Sequence, residues 1–231
     1  MKDARRGLRS LVVELTTTLT PYSTVPLHVV MELFILLMLI ATGVYTLKSR
    51  DQNRRIALLS AHLGKHQIEK LMENLTEGYL RALGEDDPER RAQIWSFLST
   101  AELTLCEQFN RFVAEFAKVD EADARVSKLA FSIPYAARLF PGLTFDLRKA
   151  LSIHAQGITE AAKNSLNQSP KSKAFTLSAE LFLMQHSCHW FCRSKTVASA
   201  RMLARHKTSY EQLLASVAPA TRKAYGSLIG N

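Results

Sequence analysis

The residues best suited to chemistry lie in the last third of the chain, in the sequence His186-Ser-Cys188-His189-Trp-Phe-Cys192. Imidazole nitrogens and thiolates are the ligands that zinc and iron clusters prefer. On a helix, Cys188 and Cys192 share one face, as do His189 and Cys192, so two or three of them would reach one metal ion. One hypothesis is therefore an enzyme subunit that binds metal through the His186–Cys192 helix.

The rest of the sequence favours a different interpretation. A closed zinc site needs four ligands, and the chain has no second Cys/His pair, because Cys106 stands alone. His62 and His66 have helical spacing but lack the glutamate of a zinc-protease motif, and no phosphate loop, dinucleotide fingerprint or nucleophile elbow occurs. We therefore predict that the cysteines are buried in an apolar helix and that the chain has no catalytic residue, no metal, no cofactor and no small-molecule substrate.

A second cluster is basic and follows the cysteines directly, with no acidic residue among its members. We call it the basic ridge, and it consists of Arg193, Lys195, Arg201, Arg205 and Lys207. Arg201 and Arg205 are one helical turn apart, and Lys195 is predicted to lie near the same side. Such a ridge suits an acidic partner subunit, anionic lipid or nucleic acid. Because no groove-reading motif accompanies it, a membrane-tethered nucleic-acid-binding module is the minority hypothesis.

Composition narrows the class of protein. The 231 residues are 47% hydrophobic and carry 30 Lys and Arg against 21 Asp and Glu, which excludes a disordered chain. The positive charge is concentrated at both ends, and residues 170–231 hold nine basic and two acidic residues. Coulomb attraction alone does not distinguish phospholipid, nucleic acid and acidic protein as partners.

A stretch of 23 residues from Val25 to Leu47 is typical of a membrane span, because a helix of that length crosses the hydrocarbon core of a bilayer. A buried soluble helix and a cleaved signal peptide are the alternatives. The run is long for the first, and for the second the basic region before it is too long and the cleavage site is poor. Glu32 is the one carboxylate inside the run, so it is either protonated, paired or turned toward protein or water, or brought near the headgroups by tilt.

The flanks of the span predict its orientation and membrane. Four basic residues follow it within eight positions, namely Lys48, Arg50, Arg54 and Arg55, whereas the basic residues at positions 2–9 are more than fifteen positions away. The positive-inside rule then places the main domain in the matrix of a mitochondrion or the cytoplasm of a bacterium. The sequence pI of about 9.6 and the Arg-rich N-terminus favour the mitochondrial over the bacterial inner membrane.

Residues 1–24 carry a second membrane signal. Leu8, Val12, Leu15 and Leu19 recur at helical spacing while the arginines fall off that stripe, which is typical of an amphipathic helix that lies in the interface.

The remaining chain predicts a helical bundle. Apolar residues at intervals of three and four run from Ile56 to Leu83, and Asp87-Pro88 then begins a second helix, so residues 48–166 are expected to contain an antiparallel helical hairpin. The stretch Leu129–Phe145 carries one charge and four aromatic residues, so it is expected either to tuck under the domain or to contact membrane or a partner.

Residues 167–231 are predicted to form a basic helical segment packed on that bundle. It would contain a central apolar helix, a helix capped at Thr208 by Glu211, and one or two turns after Pro219. No strand alternation is visible, so the fold class is all-α: an amphipathic helix, one transmembrane helix at 25–47 and an extramembrane bundle. The expected function is that of a single-pass, non-catalytic accessory or assembly subunit of an energy-transducing or transport complex in a membrane.

Overall fold

The computed structural model of the protein describes residues 26–230, so the amphipathic helix expected at 1–24 lies outside the described residues. The chain divides into two units, Met1–Tyr45 and Thr46–Asn231. Ten helices occur among the described residues, and the all-α prediction is confirmed. They are α1 Leu27–Leu63, α2 Ile68–Gly84, α3 Pro88–Phe116, α4 Glu121–Ala124, α5 Ala136–Leu139, α6 Leu147–Lys163, α7 Pro170–Cys192, α8 Lys195–His206, α9 Tyr210–Ser216 and α10 Pro219–Ile229.

The described part of the first unit is the beginning of α1. Its best 18-residue window has a mean hydropathy of 2.3 and no residue of that window is buried. Within residues 26–230, α1 is the one helix long and apolar enough to cross a membrane. The backbone stays helical beyond the apolar run that ends at Leu47, as far as Leu63.

The second unit begins with the rest of α1 and then the hairpin of α2 and α3. The predicted continuous helix from Ile56 to Leu83 is wrong, because the chain turns at residues 64–67 and α2 starts anew at Ile68. The Asp87 carboxylate accepts hydrogen bonds from the N–H groups of Glu89 and Arg90 and so caps α3. The two helices pack on each other through buried side chains that include Leu75, Tyr79, Leu105 and Phe109.

Two short strands add a feature that the sequence did not predict. Strands β1 (Arg125–Ser127) and β2 (Thr144–Asp146) pair antiparallel, and the central pair, Val126 and Phe145, is buried. Three residues are too few for a visible alternation of apolar and polar side chains, so no pattern signals them. The strands bring together the two ends of residues 128–143, which contain α5 and a short 3₁₀ turn at Pro141–Leu143.

Helix α7 lies at the centre of the bundle, packed on α6, α8 and α9. It is buried around most of its circumference, as its apolar composition predicts. Helix α9 begins one residue later than predicted, because Ser209 and Gln212, rather than Thr208 and Glu211, form the reciprocal capping box. Helix α10 then runs for 11 residues and packs on α6, longer than the one or two turns predicted.

Candidate functional site

The second unit carries an open groove of about 280 Å³ where the end of α1, the start of α2, the end of α7 and Arg201 of α8 meet. We call it the α1–α7 groove. Its lining is mainly apolar and includes Leu59, Leu63, Ile68, Met72, Met184 and Cys188. Three exposed charged residues form its rim, namely Glu69, Arg193 and Arg201. This surface is concave, largely apolar and bordered by charge, which is the usual form of a binding site.

The turn between α1 and α2 shapes one end of this groove. The Gly64 N–H donates to the Ser60 carbonyl at 2.8 Å, and the His66 N–H donates to the Leu63 carbonyl at 3.0 Å. A Cβ atom on residue 64 would lie 2.9 Å from the Ser60 carbonyl oxygen, so only glycine fits this turn without a shift. The turn also separates His62 from His66, which therefore do not share one helix face.

The four candidate metal ligands do not converge on one point. His186 is buried, with its Nε2 at 3.1 Å from Ser199 Oγ and its ring stacked on Tyr210 at 4.6 Å between centroids. The Cys188 thiol lies 3.9 Å from the Met184 sulfur. Of the four candidate ligands, Cys188, His189 and Cys192 line the α1–α7 groove, and His186 does not. Among the described residues, no three His, Cys, Asp or Glu side chains are placed to hold one metal ion.

The thiols of this region are protonated at neutral pH. Burial raises the pKa of Cys192 to about 11, against a smaller opposing effect of the guanidinium groups of Arg193 and Arg55. Burial also raises the pKa of the Cys188 thiol, and the neighbouring Cys192 adds to that effect. Since the thiolate is the nucleophilic form, neither thiol is activated for attack on a substrate.

The structure divides the basic ridge into two groups. Arg201 and Arg205 are exposed on α8, and an Arg201 N–H donates to His189 Nδ1 at 3.3 Å. Lys195 instead lies over the rings of Trp190 and Tyr210, at 5.4 and 4.8 Å from their centroids. Lys195 is thus turned toward Trp190 and Tyr210, and it does not share a face with Arg201, which is six residues away on α8.

The other two members of the ridge have structural roles. An Arg193 N–H donates to the side-chain oxygen of Gln52 on α1, which ties the end of α7 to α1. Lys207 adopts a left-handed backbone conformation with φ of 53° and ends α8. Neither Arg193 nor Arg201 forms an ion pair with a carboxylate of residues 26–230, and together with Glu69 they give the rim of the groove an excess of positive charge.

Desolvation lowers the pKa of His189, and the positive charges of Arg201 and Arg205 lower it further. The imidazole is therefore neutral at pH 7, which leaves Nδ1 free to accept the hydrogen bond from Arg201. This bond holds the Arg201 side chain toward the groove.

The interior of the domain contains a buried polar network that no sequence pattern predicted. His154 Nε2 and Tyr225 Oη each lie 2.9 Å from Ser187 Oγ, and the Ser187 hydroxyl donates to the Leu183 carbonyl at 3.1 Å. A histidine beside a serine resembles a nucleophile and its base, but both side chains have no exposed surface, so no substrate reaches them. Ser187 lies 33 residues from His154 in the chain, so no local pattern connects the two.

Glu32 lies in the exposed apolar part of α1. Within residues 26–230, the structure gives its carboxylate no hydrogen bond and no ion pair.

No family model, curated protein or solved structure matches this chain.

Proposed function

We propose that the chain is a single-pass membrane protein that serves as a non-catalytic accessory or assembly subunit of a larger energy-transducing or transport complex. The exposed apolar run of α1 supports the membrane anchor, because a helix of a water-soluble protein normally buries such a surface. The α1–α7 groove supports the subunit role, because it offers an unfilled binding surface on the domain that follows the span.

The observation that carries this proposal is the chemistry of the groove. An apolar lining contributed by Leu59, Met72 and Met184 suits the apolar face of an amphipathic helix, and methionine adapts to varied partners. Arg193 and Arg201 at the rim form no ion pair within residues 26–230, and they favour an acidic residue beside that face. The occupant we propose is therefore an amphipathic helix of a partner subunit, with a Glu or Asp placed to pair with Arg201.

The non-catalytic role rests on access and protonation. The histidine–serine network is sealed inside the bundle, and the groove thiols are protonated at neutral pH. Chemical activation of a substrate needs a group that is both reachable and poised near neutral pH. Cys192 is reachable from the groove, but burial raises the pKa of its thiol to about 11.

The location that we propose is the mitochondrial inner membrane, ahead of the bacterial inner membrane, with the domain on the matrix or cytoplasmic side. Two of the flanking basic residues have partners in the domain: Arg54 pairs with Asp123 at 2.7 Å, and Arg55 with Asp51 at 3.5 Å. Lys48 and Arg50 form no ion pair within residues 26–230 and remain for anionic headgroups.

Site-specific photo-crosslinking in native membranes tests the groove. A photoreactive residue in place of Met72, which lines the groove, is expected to capture one protein partner, and Arg201→Glu should reduce the yield through charge repulsion. The matched control is a photoreactive residue in place of Leu103, which is half exposed on α3 and lies outside the groove lining. Equal capture at both positions, or none at position 72, would contradict the proposal.

Metal analysis of the purified protein separates this proposal from the metal-binding alternative. We expect no stoichiometric metal. Stoichiometric zinc or iron that disappears when Cys188→Ala and Cys192→Ala are combined would establish the alternative instead.

A further inference from the structure

Within the second unit, the rest of the domain begins to bury α1 at a defined position along the helix. Thr46 and Leu47 are exposed, Lys48 and Ser49 are half-buried, and Gln52 is buried. The apolar run of α1 ends at Leu47. The first part of the domain to cover this helix therefore lies within one or two helical turns of the end of the apolar run.

Residues 129–143 contact α1 at this position, and we call them the apolar loop. The Gln52 side-chain amide donates to Ser132 Oγ at 2.9 Å, and the Tyr135 backbone N–H donates to the Asp51 carboxylate at 3.3 Å. Both contacts are made by polar groups, so they fix the loop in place without covering its apolar side chains. The loop is thus held beside Asp51 and Gln52.

The apolar loop buries some of its residues and exposes others. Ala136 and Ala137 are buried, so this part of the loop is anchored in the core. Five large apolar side chains face solvent instead, with exposed fractions of 75% for Phe131, 62% for Leu139, and 43–49% for the rest, which are Ile133, Phe140 and Leu143. Among the described residues of the second unit, each helix carries at most two of the other exposed large apolar side chains, so five within thirteen residues mark an interaction surface.

Charge and position identify the occupant as a lipid bilayer. From Lys128 to Phe145 the chain has two basic residues, Lys128 and Arg138, and no acidic one, and this mixture of basic, aromatic and aliphatic residues is typical of interfacial segments. Five residues of helix separate Leu47 from Gln52, which is about 7–8 Å at the α-helical rise. The headgroup layer on each side of a bilayer is about 5–8 Å thick, so the loop is held at that depth.

We propose that the apolar loop is a second, interfacial membrane anchor. Phe131, Leu139 and Phe140 enter the boundary between headgroups and acyl chains, and Lys128 contacts lipid phosphates. Arg138 pairs with Asp123 at 3.7 Å. The bilayer is the one that the apolar run of α1 crosses, so this inference rests on the proposed membrane anchor. It adds a rotational restraint, because a single helix leaves a domain free to turn about its axis, whereas a second contact fixes which face points away from the membrane.

Depth-dependent fluorescence quenching tests the loop in the full-length protein. A fluorophore attached to an introduced cysteine in Leu139→Cys is compared with one in Phe97→Cys, since Phe97 is 79% exposed on α3 and not part of the loop. The protein is reconstituted in vesicles of phosphatidylcholine and phosphatidylglycerol that contain spin-labelled lipid. The native thiols label slowly at neutral pH, because burial keeps them protonated.

We expect lipid spin labels near the headgroup to quench position 139 at least about twofold more than position 97. Equal quenching at the two positions, in protein that resists alkaline extraction from the vesicles, overturns the loop proposal and leaves the span intact. If alkaline treatment extracts the protein from the vesicles, both the loop proposal and the proposed membrane span are overturned. A third outcome concerns the native complex. If position 139 is protected from aqueous iodide there but is not quenched by spin-labelled lipid, the loop contacts a protein partner and the proposal is overturned.

Discussion

His154 Nε2 lies 2.9 Å from Ser187 Oγ in the interior of the domain, and neither side chain has exposed surface. One assignment of protons satisfies Ser187, at the centre of this group. Ser187 donates to the Leu183 carbonyl and accepts from His154 and from Tyr225, which uses its one proton and both lone pairs. The network joins α6, α7 and α10, so it specifies how these three helices pack.

Ser187→Ala should lower the free energy of unfolding by about 1–3 kcal/mol, because it leaves two buried donors without an acceptor. Chemical denaturation with urea measures this. Ser99→Ala is the matched control, since Ser99 also donates to the carbonyl four residues earlier but is exposed. We expect a change within about 0.5 kcal/mol there. Equal effects of the two substitutions would contradict the role of the network.

The buried histidines make stability depend on pH. Burial lowers the pKa of His154 to about 3 and of His186 to about 4, from an ordinary value of 6.5. Below pH 6.5 the unfolded chain therefore binds more protons at these sites than the folded chain. Each histidine should reduce the free energy of unfolding by up to about 1.4 kcal/mol per pH unit as the pH falls from about 6.5 toward 4.

Glu180 opposes this trend over part of the same range. Burial raises the pKa of Glu180 to about 7 from 4.5, so between these values the folded state binds more protons and gains stability as the pH falls. Glu180→Gln removes that compensation and retains an oxygen to accept the Ala218 N–H. We expect the variant to lose stability more steeply than the wild type between pH 6.5 and 4.5 in urea titrations. Parallel pH profiles would refute the assignment.

Gly157 marks a close approach of helices. A Cβ atom there would overlap the side chains of Thr221 on α10 and Glu180 on α7. Gly157→Ala should therefore cost about 1–3 kcal/mol of stability despite the better helix propensity of alanine. Gly84→Ala is the control, because nothing lies within 4 Å of its Cβ position. Thermal unfolding of the two variants should shift in clearly different amounts; stabilisation by Gly157→Ala would show that the helices are not in contact.

A buried ion pair ties α3 to α7. Lys173 pairs with the Glu102 carboxylate, which also accepts the Tyr79 hydroxyl at 2.7 Å, and Glu102 is nearly inaccessible. Lys173→Met should cost about 3–5 kcal/mol, because it leaves a buried carboxylate without its cation. Arg111→Met breaks an exposed pair with Glu107 and should cost less than about 1 kcal/mol. Urea denaturation compares them, and similar losses would be inconsistent with burial of the Lys173–Glu102 pair.

Local sequence signals predicted much of the helical bundle. Contacts between residues distant in the sequence could not be predicted. The Asp87 cap and the apolar run of α1 depend on neighbours along the chain, and the structure has both. A single glycine within helical periodicity is normally tolerated, so Gly64 gave no sign of a helix break. The α1–α7 groove is formed by that break and by the packing of four segments. No local sequence pattern could predict it.

Membership in a membrane complex is measured most directly by the native mass of the protein after mild detergent extraction from its own membranes. We expect a large assembly for the wild type that dissociates in a salt-dependent manner when Arg201→Glu and Arg205→Glu are combined. Arg222→Glu, an exposed charge reversal on α10, should leave the assembly intact. A monomeric wild type, or recovery in the soluble fraction without its apolar helix, would show that the protein is not an anchored subunit.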